Sequence, residues 1–81
     1  SHYAIDYYLV ENDQSYVNEN NHLYQYGVCV SKKNSNLELE ESMANYLSDS
    51  KSDIQQLIEI LCKNQVTPIT LPDVLNDLSK N

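Results

Sequence analysis

The amino-acid sequence predicts an α+β fold, in which one longer helix and one short C-terminal helix pack on one face of a two- or three-stranded antiparallel sheet. Three observations support this prediction. Residues 1–47 contain segments that alternate with the period of a strand, residues 48–81 contain an aliphatic stripe at helical spacing, and the chain ends on a helix-start signal followed by spaced aliphatics. Because 81 residues are too few for two separate cores, we expect a single small domain, with strands and turns in 1–47 and helices in 48–81.

Two strands are predicted in the first half of the chain. Tyr3–Val10 and His22–Lys32 both place aromatic and β-branched residues at alternate positions, which is typical of strands. The segment between them is rich in Asn, Asp and Ser and indicates a connection, with a short irregular strand around Tyr16–Val17. Gly27, the single glycine, indicates a bulge or a place where another element packs closely.

A third strand is predicted after a polar turn at residues 33–36, whose asparagines tolerate a positive φ. Leu37–Leu47 fits two patterns, because its first four residues alternate like a strand while Leu39, Met43 and Leu47 also recur at helical spacing. We favour the strand, since a two-stranded ribbon without a further partner is only marginally stable in water.

The longer helix is predicted from about residue 50 to residue 64. Ser48, Ser50 and Ser52 could each cap its start, and Ser50, followed three residues later by Asp53, resembles a capping box. Asn64 is expected to end the helix in a left-handed conformation. Ile60 and Cys62 are expected to widen the apolar stripe. The stripe itself consists of Ile54, Leu57, Ile58 and Leu61.

The short helix is predicted at the end of the chain. Pro68 is expected to keep Val66–Ile69 extended, and Thr70 with Asp73 suggests a second capping box, with Pro72 in the first turn. A helix of two to three turns does not persist alone, so its aliphatic side must be buried against the longer helix and the sheet. That side consists of Val74, Leu75 and Leu78.

Charge and composition exclude several classes of protein. Twelve acidic residues against five basic ones give a net charge of -7, which disfavours nucleic acid and anionic membranes as partners. No apolar run approaches the roughly 20 residues that span a bilayer, so we expect a soluble cytoplasmic protein. Cys29 and Cys62 lack the paired spacing of a redox dithiol and are expected to be reduced thiols, with one disulfide between them as the alternative.

No catalytic, cofactor-binding or metal site is predicted. His2, His22, Cys29 and Cys62 lack the close paired spacing of a zinc site. Cys29 and His22 are seven residues apart, about 23 Å along a strand, and so cannot form a nucleophile–base pair unless the strand breaks. Cys62 with His22 is sterically possible, although nothing in the sequence supports that pair.

A candidate partner surface is indicated by the aromatic composition, which is seven Tyr with no Phe and no Trp. Tyrosine tolerates one wet end, so tyrosines on strands are typical of exposed aromatic surfaces, although a thin sheet also leaves aromatic edges exposed. Asp73 and Asp77 share one face of the last helix, where a cap and a solvated residue are the simpler interpretation. The candidate residues are Tyr8, Tyr24, Tyr26, Asp73 and Asp77.

Three parts of the sequence resemble a family of small bacterial proteins, common in clostridia and their relatives, that is known as a domain of unknown function. They are YGVCV at 26–30, the serine-rich helix start at 48–53, and IQQLIEILCKNQVTPITLPDVLNDL at 54–78. Thr70 and Asn76 depart from the family pattern, which usually has a histidine and an acidic residue there. The resemblance implies the fold described above, and it implies no activity, cofactor or catalytic residue.

These observations favour a non-enzymatic protein-interaction or regulatory module. Its partner is expected to be another protein or a second copy of the chain in a homodimer. The alternative is an acidic mimic of nucleic acid that inhibits a nucleic-acid-binding protein, which predicts carboxylates clustered on one face. An enzyme is the least favoured class, because it predicts a concave pocket with a strongly shifted ionisable group.

Overall fold

The computed structural model describes residues 4–13 and 24–80, which form three strands followed by two helices. The sheet is antiparallel with the order β1-β2-β3, so β2 is central and β1 and β3 are edge strands. The predicted α+β class, with a longer helix and a short C-terminal one, is confirmed. The elements are β1 (Ala4–Glu11), β2 (Tyr26–Lys33), β3 (Leu39–Ser48), α1 (Lys51–Lys63) and α2 (Leu71–Leu78).

The predicted strands are present, with shifted ends. Leu37–Leu47, for which a helix was the alternative, contributes most of β3, because its residues 39–44 pair with β2. The strand predicted from His22 begins only at Tyr26, since the backbone N–H of Gln25 donates to the Asp49 carboxylate (3.0 Å) instead of to a strand. The predicted short strand around Tyr16–Val17 lies outside the described residues. So do the first residues of the two predicted strands, Tyr3–Val10 and His22–Lys32.

The turn between β2 and β3 is organised by one asparagine. The Asn34 side-chain oxygen accepts the backbone N–H groups of Asn36 (2.9 Å) and Glu38 (3.1 Å). The residue with positive φ is Leu37 (63°), not an asparagine as predicted. Asn34 is the first residue of the turn, and its side chain holds the backbone of Asn36 and Glu38. The left-handed residue is therefore Leu37, three positions after Asn34.

Gly27 lies beside a bulge in β3, as the sequence analysis predicted. The β2–β3 register shifts between Tyr26 and Val28, and Tyr46 has a positive φ of 59°. The Tyr46 N–H donates to the side-chain oxygen of Asn12 (2.7 Å), which replaces a bond within the sheet. A Cβ atom on Gly27 would overlap the backbone carbonyl oxygen of Ala44, so only glycine lets the two strands approach here.

One face of the sheet, the covered face, packs against both helices. Alternate residues of β1 and β2 point into this core, and Ile54 and Leu61 of α1 meet them. The prediction that Ile60 and Cys62 widen the buried stripe is wrong, because both side chains are exposed. The buried core residues are Val28, Val30, Ile54, Leu61, Val66 and Leu71.

Both ends of α1 have recognisable caps. Ser50 is the N-cap, and its hydroxyl accepts the N–H of Asp53 at 3.1 Å, as predicted. At the other end the left-handed residue is Gln65 (φ 51°), not Asn64. The Gln65 N–H bonds the Cys62 carbonyl and the Val66 N–H bonds the Leu61 carbonyl, which together make a Schellman motif. This motif places Val66 in the core beside Leu61.

The capping box before α2 lies three residues earlier than predicted. Thr67 and Thr70 exchange bonds, with the Thr67 N–H 3.1 Å from the Thr70 hydroxyl and the Thr70 N–H 3.4 Å from the Thr67 hydroxyl. Thr70 is the N-cap residue of α2 with Pro72 in the first turn, as predicted, but its side chain makes no capping bond to the helix. Pro68 lies in a turn instead of an extended segment. Pro68 was expected in an extended segment, but the fixed φ of proline also suits the first position of a helical turn.

The short helix α2 packs on the core through its first turn. Leu71 is only 1% exposed, and Val74 and Leu75 are half-buried against the same cluster. Leu78, expected to be buried with them, is 41% exposed. The connector before α2 is also held to the sheet, because the Tyr7 hydroxyl donates to the Val66 carbonyl at 2.8 Å.

Candidate protein-docking face

The side of the sheet opposite the helices, which we call the open face, has none of the described helices packed on it. Its residues alternate with those of the core, so strand register brings them together in rows. Tyr8, Cys29 and Met43 form one row across the three strands, and the next two rows follow from the same pairing. These are Asp6, Ser31 and Glu41, and then Ala4, Lys33 and Leu39.

Along β2 the open face has small side chains between larger ones of the edge strands, and we call this strip the groove. Its floor consists of Cys29 and Ser31, which are only 5% and 8% exposed although none of the described helices covers them. The side chains of β1 and β3 on either side are its walls, and Tyr8 and Met43, both paired with Cys29, are 50% and 52% exposed there. Two strand spacings, about 10 Å, separate the backbones of β1 and β3.

The walls of the groove combine apolar surface with negative charge. Tyr8, Leu39 and Met43 are large, exposed and apolar. Asp6 and Glu41, both exposed, flank Ser31 from opposite walls. The groove is therefore bordered by exposed apolar side chains and by one carboxylate on each side.

Cys29 is a packing residue of the groove floor. Burial raises the pKa of its thiol, and the neighbouring Glu41 carboxylate raises it further. A raised pKa keeps the sulfur protonated, whereas a nucleophilic cysteine needs a lowered one. Cys29 and Cys62 are both free, with Cys29 on the open face and Cys62 exposed on α1, so the alternative of a disulfide between them is wrong.

Tyr7, next to the candidate Tyr8, has a structural role on the covered face. Burial raises the pKa of its phenol, with a smaller contribution from Cys62. The protonated phenol is the form that donates to the Val66 carbonyl. Tyr7 and Cys29, the two groups of the described residues whose pKa is shifted, thus lie on opposite faces of the sheet.

The five residues predicted as a partner surface are not brought together. Tyr8 alone lies on the open face, whereas Tyr26 is half-buried against the core on the covered face. Tyr24 is exposed just before β2, and Asp73 and Asp77 are exposed on α2. Of the five residues, only Tyr8 belongs to the groove.

The other residues of the groove were not predicted from the sequence. Leu39 and Met43 were considered only as evidence for a strand or a helix, and Asp6 was not considered. The alternation of side chains along the strands contained this information. If residues 39–48 form a strand, Met43 lies on the same face of the sheet as Tyr8, in the row that both share with Cys29. What the sequence does not give is the side on which the helices pack.

Within residues 4–13 and 24–80, no three His, Cys, Asp or Glu side chains are grouped so that they could hold a metal ion. His2 and His22, considered as ligands above, lie outside the described residues. No helix in the same part of the chain is long and apolar enough to cross a membrane.

The fold and the groove define a small α+β protein whose three-stranded sheet has one helix-covered face and one open face. The chain belongs to a family of unknown function, DUF6514, whose model matches residues 1–81. The predicted resemblance to a family of unknown function is thus confirmed, and it extends over the whole sequence. No curated protein and no solved structure matched the chain.

Proposed function

We propose that this chain is a non-enzymatic protein-interaction module and that the open face is its binding surface. The observation that supports this most is the groove, where exposed Tyr8 and Met43 flank a shielded floor that none of the described helices covers. Contiguous apolar surface with a polar rim is typical of protein interaction sites. Tyrosine and methionine are also enriched at such sites.

The non-enzymatic part of the proposal is supported by the chemistry of the ionisable groups. Cys29, the nucleophile nearest the groove, has a raised pKa, which opposes thiolate formation. Tyr7, the other shifted group, bonds a backbone carbonyl on the opposite face. Catalysis requires such groups to converge on one pocket. Two free cysteines also favour a reducing compartment such as the cytoplasm.

A partner other than a second copy is favoured by charge. Homodimerisation through the open face would bring together two chains of net charge -7. A different protein that does not carry this negative charge therefore suits the open face better than a second copy.

The acidic nucleic-acid mimic has less support. It requires carboxylates gathered on one face, whereas the described ones are distributed over β1, β3, α1 and α2. Of the carboxylates in residues 4–13 and 24–80, strand pairing places Asp6 and Glu41 on the open face, with Lys33 at one end. Its exposed apolar side chains are better suited to a protein surface than to the imitation of a phosphate backbone.

The proposal is tested by comparing three tagged chains in cells of the source organism. Met43→Lys places a charge in the groove, and Ile69→Lys makes a matched change on an exposed residue of the α1–α2 connector. We expect the wild type and Ile69→Lys to co-purify the same proteins and Met43→Lys to lose them. Lysine is well tolerated on edge strands, so circular dichroism should show all three folded. Equal recovery with Met43→Lys, or no specific partner for any chain, would contradict the proposal.

A further inference from the structure

We infer that the outer edge of β1 binds an extended segment of a different protein, which adds to the sheet as a fourth antiparallel strand. The inference goes beyond the proposed function, because it concerns the edge of β1 and not the open face. In the part of the chain that the structure describes, β1 is an edge strand and no strand pairs with its outer side. A strand added to such an edge takes its affinity from main-chain hydrogen bonds.

The hydrogen-bonding pattern of the sheet shows which backbone groups line this edge. The Asn12 N–H donates to the Gln25 carbonyl oxygen (2.6 Å), so the hydrogen-bonded pairs of β1 and β2 lie at every second position from there. The bond from the Asn34 N–H to the Glu38 carbonyl (3.0 Å) agrees, since it assigns the alternate residues of β2 to β3. The β1 residues between the hydrogen-bonded pairs therefore direct their N–H and C=O groups outward. These residues are Ile5, Tyr7 and Leu9.

The two edge strands differ in how well they resist further pairing. β1 pairs with β2 over eight consecutive residues without a register shift, and its charged side chains are Asp6 and Glu11. β3 carries the adjacent Glu40 and Glu41, and the bulge and the positive φ of Tyr46 distort its end. Charges and bulges are common means by which an edge avoids a further strand. Of the two edges, β1 is thus the one suited to accept a strand.

The side chains of β1 select the kind of strand that fits. On the covered face Ile5 and Leu9 pack against the core, so apolar residues are favoured beside them. On the open face Asp6 is exposed, so Lys or Arg is favoured beside it. The net charge of -7 attracts a basic segment and repels a second copy of the chain. The occupant is therefore a strand that alternates apolar residues with Lys or Arg.

The probes are fluorescently labelled peptides that alternate Val and Lys over eight residues, the length of β1. The outward backbone groups of β1 belong to residues whose side chains lie on the covered face. In an antiparallel pair, the Val residues opposite them therefore direct their N–H groups to β1.

N-methylation of the peptide tests this geometry by fluorescence anisotropy with the full chain. Methylating the Val nitrogens removes the donors to β1 and is expected to weaken binding at least about tenfold. Methylating the Lys nitrogens, which point away from β1, is expected to change the affinity less than about twofold. Equal losses, a loss only with methylated Lys, or no binding of the unmodified peptide would overturn the inference.

Two variants of the chain test the role of charge at the edge. Asp6→Asn removes the carboxylate beside the added strand, and Asp77→Asn removes one from α2. We expect Asp6→Asn to bind the unmodified peptide roughly two- to fivefold more weakly and Asp77→Asn to bind it as tightly as the wild type. Both residues are exposed, so matching unfolding temperatures serve as the folding check. An equal loss in both variants means diffuse attraction and contradicts the inferred site.

Amide hydrogen exchange followed by NMR tests the edge without any substitution. In the free chain the amides of Asp6 and Tyr8, which bond β2, should exchange slowly, and those of Ile5, Tyr7 and Leu9 rapidly. The peptide should slow the second group. If that group is already protected in the free monomeric chain, the edge is occupied and the inference fails. If its protection rises with protein concentration and light scattering gives twice the 9.3 kDa chain mass, the occupant is a second copy and the inference is wrong.

The outcomes separate this inference from the proposed function. If Met43→Lys abolishes partner recovery from cells but the peptide does not bind, the open face is the interaction surface and strand addition is wrong. If the peptide binds with the expected dependence on N-methylation but partner recovery does not depend on Met43, the edge of β1 is a binding site and the proposal for the open face fails.

Discussion

Replacing Leu71 with alanine is expected to lower the free energy of unfolding by about 2–5 kcal/mol. Leu71 is 1% exposed and is the one fully buried residue of α2 within the described chain. Its removal leaves a cavity between Val66 and the α1 stripe, and the surrounding side chains collapse only partly into such a space. Since small domains are stable by only about 5–15 kcal/mol, the loss is a large fraction of the total. Urea unfolding followed by circular dichroism measures it.

Leu78→Ala is the matched control, because it makes the same chemical change in the same helix. Leu78 is 41% exposed, so its truncation is expected to cost less than about 1 kcal/mol. If the two variants lose similar amounts of stability, α2 does not pack on the core through its first turn. A larger loss for Leu78→Ala would contradict the packing described for this helix.

Gly27→Ala is expected to destabilise the fold by about 3 kcal/mol or more. The added Cβ would overlap the Ala44 carbonyl oxygen and lie 2.9 Å from the Cα of Asn45, so the backbone of the bulge must move. That movement would also strain the bond between Asn12 and the Tyr46 N–H, which holds the end of β1 to β3. Urea unfolding measures the loss of stability. The loss should be accompanied by changed amide chemical shifts across Ala44–Ser48.

The control for Gly27→Ala is its combination with Ala44→Gly. The overlapping atom is a backbone carbonyl, so removing the Ala44 side chain leaves the overlap in place and should not restore stability. Recovery of wild-type stability in the double variant would show that the side chain, not the backbone, limits the space. In that case the explanation given for the glycine would be wrong.

The order of the elements could be predicted because the local patterns agree with one another. The apolar stripe of α1 and its Ser50 cap were predicted correctly, because both depend on residues within three or four positions of each other. Leu37–Leu47 required an argument beyond periodicity, and the need of a two-stranded ribbon for a third partner decided it correctly. The predicted ends of the helices and turns were wrong where two nearby residues could each take the same capping or turn position.

The capping positions show this ambiguity most clearly. Thr67 and Thr70 are both good N-cap residues, and Pro68 suits either an extended segment or the first turn of a helix. Tertiary contacts decide between them, because the Schellman motif ending α1 brings Val66 into the core and starts the next turn at Thr67. Such contacts are absent from any local window of sequence.

The candidate site was harder to predict than the fold for a related reason. A tyrosine-rich strand identified Tyr8 correctly as exposed, but it gave Tyr26 the same status although Tyr26 packs against the core. Parity separates the two faces of a strand but does not say which face the helices cover. The groove emerges only when β1 and β3 are both placed beside β2 and the covered side is known.

The central claim, that one face of the sheet is covered and the other open, is tested most directly by methyl NMR with a soluble paramagnetic agent. Met43 is the single methionine, and Ala44 beside it points to the covered face, so selective labelling gives assignable signals from both sides of β3. We predict strong broadening of the Met43 methyl signal and little broadening of the Ala44 signal. Equal broadening of the two signals, or a Met43 methyl already shielded in the monomeric free chain, would contradict the account.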